Sequence, residues 1–387
     1  MKKLFGSLPI KLILGMMLGL VLGMWAGNAF MQIIITVQEI LGAFIFFCVP
    51  LIILGFITPS ITKVGQSSSN LVVLALCLAY ISSIGAAFMS MFAGFGIIPN
   101  LNISANITQA RELPKAIFDL GVPPIMSVMS ALVLSVVLGL AAAWNKATTT
   151  INLLEEFRKI VISIVVNIMI PALPFYIACT FCSLSYEGVI TKQLPIFAIV
   201  VFIVMFGHYV WLALLYIIAG IYSKKNPFRV VRHYGSAYLT AVGTMSSAAT
   251  LPVALNCARK SDALRGDMVD FGIPLFANIH LCGSVLTEVF FVMTVSQILY
   301  GTLPALGTMI VFCLILGIFA IGAPGVPGGT VMASLGLIIS VLGFDNNGTA
   351  LMLTIFALQD SFGTACNVTG DGALTLILTR FVEKHKL

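Results

Sequence analysis

Gln359-Asp360-Ser361-Phe362-Gly363-Thr364-Ala365-Cys366-Asn367-Val368-Thr369-Gly370-Asp371 sets carboxylates, hydroxyls and amides inside a long apolar run. An α-helix advances 100° per residue, so positions 360, 364, 367 and 371 return to within about 40° of one another. Two carboxylates, a hydroxyl and an amide therefore share one stripe. An ionisable group at bilayer depth is costly, so such a stripe faces a site within the protein and not lipid.

The surroundings establish that depth. The chain has 387 residues, 59% of them hydrophobic and only 9% charged, a composition that excludes an ordinary soluble globule. Apolar runs of about 20 residues recur along its length, enough to span a bilayer core, and no soluble domain fits between them. The first run, Ile10 to Ala26, follows Lys2 and Lys3; it is longer than a signal-peptide core and is read as a retained span.

Six clear spans are expected near 8–27, 33–60, 69–97, 117–145, 157–184 and 194–222, followed by less regular segments at 233–258, 266–299, 307–342 and 348–380. Alternating the six spans from a cytoplasmic amino terminus puts Lys63, Lys146, Arg158, Lys159, Lys224, Lys225, Arg229 and Arg232 inside, against Arg111, Lys115 and Lys192 outside. A seventh crossing at 233–258 would put Arg259, Lys260 and Arg265 outside and break the bias. A hairpin that enters and leaves from the cytoplasm keeps it. Met245-Ser246-Ser247-Ala248-Ala249-Thr250-Leu251-Pro252 has the polar tip such a turn needs, and Ala323-Pro324-Gly325-Val326-Pro327-Gly328-Gly329-Thr330 is its counterpart further along. Paired interrupted segments point to the binding site of an inverted-repeat transporter.

With these motifs placed, the chain resembles the dicarboxylate/amino acid:cation symporters, the family of the glutamate transporters and their archaeal aspartate-transporting homologues. The resemblance runs nearly end to end. It rests on Val49-Pro50-Leu51, Ser246-Ser247 with Thr250-Leu251-Pro252, Gly325-Val326-Pro327-Gly328, and Asp360 with Asn367-Val368-Thr369-Gly370-Asp371. It implies an all-α membrane protein, glutamate-transporter-like, with eight transmembrane helices and two re-entrant helical hairpins, assembled as a homotrimer in the lipid bilayer of the cell membrane with both termini cytoplasmic. Residues 1–387 would form one polytopic domain, with six helices in 1–232 and the substrate-binding core in 233–387, and transport would proceed by elevator-type movement of that core.

The resemblance also implies roles. Ser246 and Ser247 would hold a substrate α-carboxylate, Asp360 the α-ammonium, Thr364 a further polar contact, and Gly325, Val326, Pro327 and Gly328 the outer gate. Asn367 lies between the substrate and cation sites, and Asp371 with the carbonyl near Asn367 would ligate sodium. Two departures bear on specificity. Acidic-substrate members carry an arginine three residues after the ammonium-binding aspartate, where this chain has Gly363. Glutamate or aspartate would then leave a buried carboxylate unpaired, so the expected substrate is a small neutral amino acid such as serine, threonine or alanine, as in the serine/threonine-transporting branch; a dicarboxylate or acidic amino acid is the alternative. Secondly, an Asn-Met-Asp-Gly sodium motif is replaced by His280-Leu281-Cys282-Gly283-Ser284, poorer ligands for a hard ion. His280 is thus a candidate cation ligand or proton carrier, and sodium or protons the candidate coupling ion.

Other readings are weaker. The spacing of Cys179 and Cys182 matches CxxC, but nothing accompanies it and buried cysteine is ordinarily packing. Glu288 is read as facing protein near a helix end, and Asp262, Asp267 and Asp270 as partners of Arg259, Lys260 and Arg265 in a solvated turn. Asn102 and Asn106 match glycosylation acceptors. An intramembrane aspartyl protease needs its carboxylates about 3 Å apart, whereas Asp360 and Asp371 on one helix lie roughly 16 Å apart; an anion channel needs a continuous hydrated pore. Neither an enzyme nor a nucleic-acid partner is expected.

Overall fold

The computed structural model describes residues 8–66, 70–101 and 111–385. Lys2, Lys3, Asn102 and Asn106 lie outside them. Every regular element among the described residues is helical. Five helical stretches, Asn28–Thr62, Leu71–Leu101, Thr148–Tyr186, Ile196–Ser223 and Gly266–Tyr300, are long and apolar enough to cross a membrane.

The amino-terminal helices are α1 (Leu8–Trp25), α2 (Asn28–Gln66), α3 (Asn70–Ile97), α4 (Val128–Trp144), α5 (Thr148–Ile164), α6 (Ile170–Tyr186) and α7 (Val189–Ser223). A π-turn at Val165–Met169 joins α5 to α6. The helix expected over 117–145 starts only at Val128. Pro123 and Pro124 lack the N–H groups a helix would use and push the residues before them out of the helical region, so 117–127 runs without regular structure until Ser127 caps α4 through its side chain.

Packing of α1 on α6 is written in glycines. A Cβ at Gly15, Gly19 or Gly23 would run into the carbonyl oxygens of Pro174, Ala178 and Cys182 respectively, so three glycines one turn apart seat one backbone on the other. Helix α2 carries this unit, packing against α4, α5 and α6.

The carboxy-terminal half begins with the short α8 (Phe228–Val231). Next come α9 (Gly235–Thr244), α10 (Ser247–Arg259), α11 (Gly266–Ile279), α12 (Cys282–Tyr300), α13 (Leu306–Gly322), α14 (Gly329–Leu342) and α15 (Asn346–His385). The arms α9 and α10 have 10 and 13 residues, about 15 and 20 Å of helix, too short to cross a core of about 30 Å. They and the pair α13/α14 are the two hairpins, and their tips meet in the interior. The segment 266–299, expected to be apolar but interrupted, is broken at His280–Leu281, both of which leave helical geometry.

Helix α15 is the axis of this half. It packs against α12, α7, α9 and α11 and is buried along nearly its whole length. Its polar stripe is thereby removed from lipid. Helix α3 also packs on α12 and α13, which brings its serines to the break before α12.

Candidate functional site

The two hairpin tips and the middle of α15 converge on one cradle. At the first tip, Met245 takes a left-handed conformation, φ 53°, ending α9. Ser246 then caps α10, its Oγ accepting from Ala249 N at 3.2 Å. At the second tip, Gly328 has φ 70°, and a Cβ on Gly329 would collide with the Pro324 carbonyl oxygen. Only glycine fits both steps of this turn.

The tips close on each other. Ser246 Oγ donates to the Gly325 carbonyl at 2.6 Å, and Ala248 N–H reaches the same oxygen at 3.4 Å. Gly328 N–H donates to Asp360 Oδ2 at 2.6 Å. Asp360 therefore pins the second tip, and the groups at the start of α10 suited to an anion are held by a backbone carbonyl. The cavity between them is about 10 Å³, lined among others by Ser247, Val326, Thr330, Asp360, Thr364 and Asn367. That is room for about one water, so anything larger enters only when the tip contacts part.

Of the residues expected at the site, Ser246, Ser247, Gly325, Val326, Gly328, Asp360, Thr364 and Asn367 are brought together here. Asn367 has a further task. Its Oδ1 accepts from Gly283 N at 2.7 Å and Ser284 N at 3.3 Å, and its Nδ2 donates to Ser284 Oγ at 2.9 Å. It caps α12 from a neighbouring helix, satisfying donors that the break at Leu281 leaves open. Gly363 faces the same helix: a Cβ there would sit 3.3 Å from both N and Cα of Ser284. Asp360 is the sole charged residue lining the cavity among the described residues.

Three turns along α15, Asp371 meets His280, at the break before α12. His280 Nδ1 lies 2.9 Å from Asp371 Oδ1, and His280 Nε2 lies 2.8 Å from Ser82 Oγ of α3. All three side chains are buried. With Asp371 ionised, Nδ1 carries the hydrogen, because a carboxylate then only accepts. Ser82, and Ser83 beside it with its buried hydroxyl unpartnered, were not among the candidates read from sequence. Two adjacent serines within the apolar run 69–97 were the available signal.

Glu288 is fully buried within α12, not near its end, and accepts from Ser334 Oγ of α14. Cationic residues flanking the first hairpin are engaged in exposed ion pairs: Arg259 with Asp270 at 2.7 Å, Arg265 with Asp267 at 2.5 Å and Arg229 with Asp262 at 3.2 Å. None of them reaches the cradle. Cys179 and Cys182 are free and buried in α6. A larger cavity of about 1260 Å³ lies between α2, the segment 113–127 and the end of α14, lined in part by Glu39, Lys115, Asp119 and Asp345, and shares no lining residue with the cradle.

A profile described as the sodium:dicarboxylate symporter family matches residues 8–381. The chain is 28% identical over 237 residues to excitatory amino acid transporter 2 of Mus musculus, covering 59% of this chain and 41% of the relative. Against excitatory amino acid transporter 2 of Homo sapiens it is 26% identical over 278 residues, 70% of this chain and 47% of the relative. Against excitatory amino acid transporter 3 of Mus musculus it is 31% identical over 174 residues, 45% and 32% respectively. Under half of each of these relatives is matched.

Proposed function

We propose, for a chain that belongs to the sodium:dicarboxylate symporter family, that it is a secondary active, cation-coupled symporter for a small neutral amino acid. It is a multi-pass membrane transporter and not an enzyme. The observation that carries the neutral substrate is the wall behind Asp360. Position 363 has no side chain, Ser284 backbone lies against it, and no lysine or arginine among the described residues lines the cavity. An α-ammonium has Asp360 as its partner; a second carboxylate has none, and burying it unpaired is prohibitive.

Binding follows from the tip contacts. The α-carboxylate takes the place of the Gly325 carbonyl as acceptor for Ser246 Oγ and Ala248 N–H, and the α-ammonium approaches Asp360. Each substrate charge thus substitutes for a contact that holds a tip closed, hairpin to hairpin at Gly325 and hairpin to α15 at Asp360, so occupancy and gating are coupled through the same atoms. A small side chain is left facing Thr364. Sodium is the coupling ion that the family description favours, and the assembly we propose is a homotrimer in the cell membrane with its substrate core, 233–387, moving as one body.

The second reading, an acidic amino acid or dicarboxylate, is favoured by the names of the relatives. Uptake into proteoliposomes of serine, threonine, alanine, glutamate, aspartate and succinate, each with an inward sodium gradient, an inward proton gradient or neither, separates the two. Gradient-driven serine, threonine or alanine uptake is expected. Uptake of glutamate, aspartate or succinate alone would overturn the neutral reading, and accumulation independent of every gradient would overturn symport.

A further inference from the structure

The larger cavity lies between the unit built on α2 and the base of the second hairpin. Residues of α2 with Tyr176 of α6 form one wall, the segment 113–127 a second, and Ile339 and Ser340 of α14 with Asp345 a third. At about 1260 Å³ it has room for a small organic molecule. Phe46, Val49, Val122, Met126 and Ile339 make much of the lining apolar, and its charge is unbalanced, with Glu39, Asp119 and Asp345 against Lys115 alone. Asp345 is engaged, its Oδ1 accepting from the Tyr300 hydroxyl and from Gly348 N–H. Asp119 accepts from Gly121 N–H with one oxygen only. The Glu39 carboxylate has neither an ion pair nor a hydrogen bond among the described residues, although it belongs to Asn28–Thr62, a stretch apolar and long enough to cross a membrane. An unpaired charge in such a stretch marks a site.

A second polar group opens on the same wall. Tyr176 is 2% exposed, and its hydroxyl has no hydrogen-bond partner among the described residues. Gly42 stands against it: a Cβ there would lie 3.7 Å from the hydroxyl oxygen. Glu39 is one turn from Gly42 on the same face of α2, so carboxylate and phenol serve one stretch of the cavity. A hydroxyl this enclosed is satisfied by water or by a ligand. The carboxylates repel an anion. A bare metal ion is not served either, since among the described residues no three His, Cys, Asp or Glu side chains gather around a point. An ammonium on an apolar body matches both the charge and the walls.

We propose that this cavity is a regulatory site for an amphipathic organic amine, its ammonium held by Glu39 and Asp119 with the Tyr176 hydroxyl beside them, and its apolar body against Phe46, Val122 and Ile339. Because the walls belong both to α2 and to the second hairpin, the occupant ties the two together. It slows transport without entering the cradle, with which this cavity shares no lining residue. The effect on transport rests on the symporter reading above; the binding does not.

The probe is phenylbutylamine with its ring at the chain end, and phenylbutanol and phenylbutanoate are the neutral and anionic counterparts of the same body. On the purified full-length protein without amino acid, the amine is expected to raise the melting temperature saturably by about 2 °C or more, and the alcohol and the acid by less than about half as much. The double variant Glu39→Gln/Asp119→Asn should weaken amine binding about tenfold or more, and Tyr176→Phe about threefold. Lys115→Gln removes the like charge and should tighten it about threefold. In proteoliposomes the amine should lower the maximal rate of serine uptake while the half-saturating serine concentration stays within about twofold, in the wild type and not in the double variant. Should the double variant fail to fold, Lys115→Gln decides through its opposite sign. Equal stabilisation by amine and alcohol overturns the site, as does equal amine affinity in wild type and double variant, or an affinity that Lys115→Gln leaves unchanged. Inhibition relieved by excess serine would put the amine in the cradle and overturn the regulatory role. A protein that binds the amine as expected but takes up no serine counts instead against the proposed function.

Discussion

Asp360 carries two duties that a conservative substitution separates. Its carboxylate accepts from Gly328 N–H at 2.6 Å and supplies the only charged side chain lining the cradle among the described residues. Asn at this position still accepts the Gly328 hydrogen bond but loses the ionic attraction for an ammonium, whereas Ala loses both. Asp360→Asn should weaken amino-acid binding roughly 100-fold, the worth of a charge-assisted bond of about 2–3 kcal/mol, with hairpin closure retained. Asp360→Ala should abolish binding and also increase protease sensitivity at the second tip. Calorimetric titration beside limited proteolysis reads the two effects, and equal binding by Asp360→Asn and wild type would refute the ammonium role. Gly363 tests the opposite face of specificity. Gly363→Arg introduces a cation beside Asp360, so binding should shift from serine towards aspartate. Because Ser284 backbone lies 3.3 Å from a Cβ there, the variant should also lose about 1–3 kcal/mol of stability through overpacking. If aspartate binding does not appear in a folded Gly363→Arg protein, the missing arginine is not what selects the substrate.

At the scale of elements, the glycine seam between α1 and α6 makes a sharp prediction. Gly19 is placed where any Cβ meets the Ala178 carbonyl oxygen, a rigid backbone atom in another helix. Gly19→Val should force the helices apart and lower stability by about 3 kcal/mol or more. Gly27, with nothing within 4 Å of its would-be Cβ, provides the control: Gly27→Ala should leave the melting temperature within a degree or so of wild type. A stable Gly19→Val protein would show that this contact is not a packing constraint. The elements also show what a sequence discloses. The spans α2, α3 and α7 are legible because apolar length alone dictates them, and the hairpins because Pro, Gly and Ser interrupt runs at matching places. The late start of α4 was obscured because 117–127 is apolar as well as proline-bearing, and hydropathy does not separate an apolar loop from a helix turn. That 266–299 is interrupted could be read, but the position of the break at His280–Leu281 was hidden for the converse reason: its stabilisation comes from Asn367, 84 residues from Gly283, and no local pattern reports a cap supplied by another helix. The same limit applies to the site. Asp360, Thr364 and Asp371 could be grouped by helical period, but the pairing of His280 with Asp371 and Ser82 is a tertiary fact that joins three segments.

For the whole molecule, the packing divides the chain into a body built on α2, with α1, α4, α5 and α6, and a second centred on α15, with α7, α9 to α12 and α3 gathered around it. The second hairpin bridges them, since α13 and α14 touch both α2 and the core. If the core travels as one body, that contact must slide during each cycle while the cradle stays intact. Gly322, at the end of α13, sits against α2, where its Cβ would lie 3.1 Å from Ile57 Cγ1 and 3.3 Å from Ile57 Cα. Cysteines at these two positions fall within reach of a disulfide. Seven of the eight native cysteines are buried and Cys77 is exposed, so a Cys77→Ser background keeps the chemistry selective. In the variant Ile57→Cys/Gly322→Cys, mild oxidation should abolish substrate uptake while leaving equilibrium amino-acid binding within about threefold of the reduced protein, a difference below 1 kcal/mol, and reduction should restore uptake. The distinction matters because a lock that merely distorts the cradle would remove binding as well. Transport that continues undiminished with the bond formed would mean that the second hairpin and α2 remain together throughout the cycle, and that substrate crosses by opening of the tips alone, without movement of the core past its neighbour.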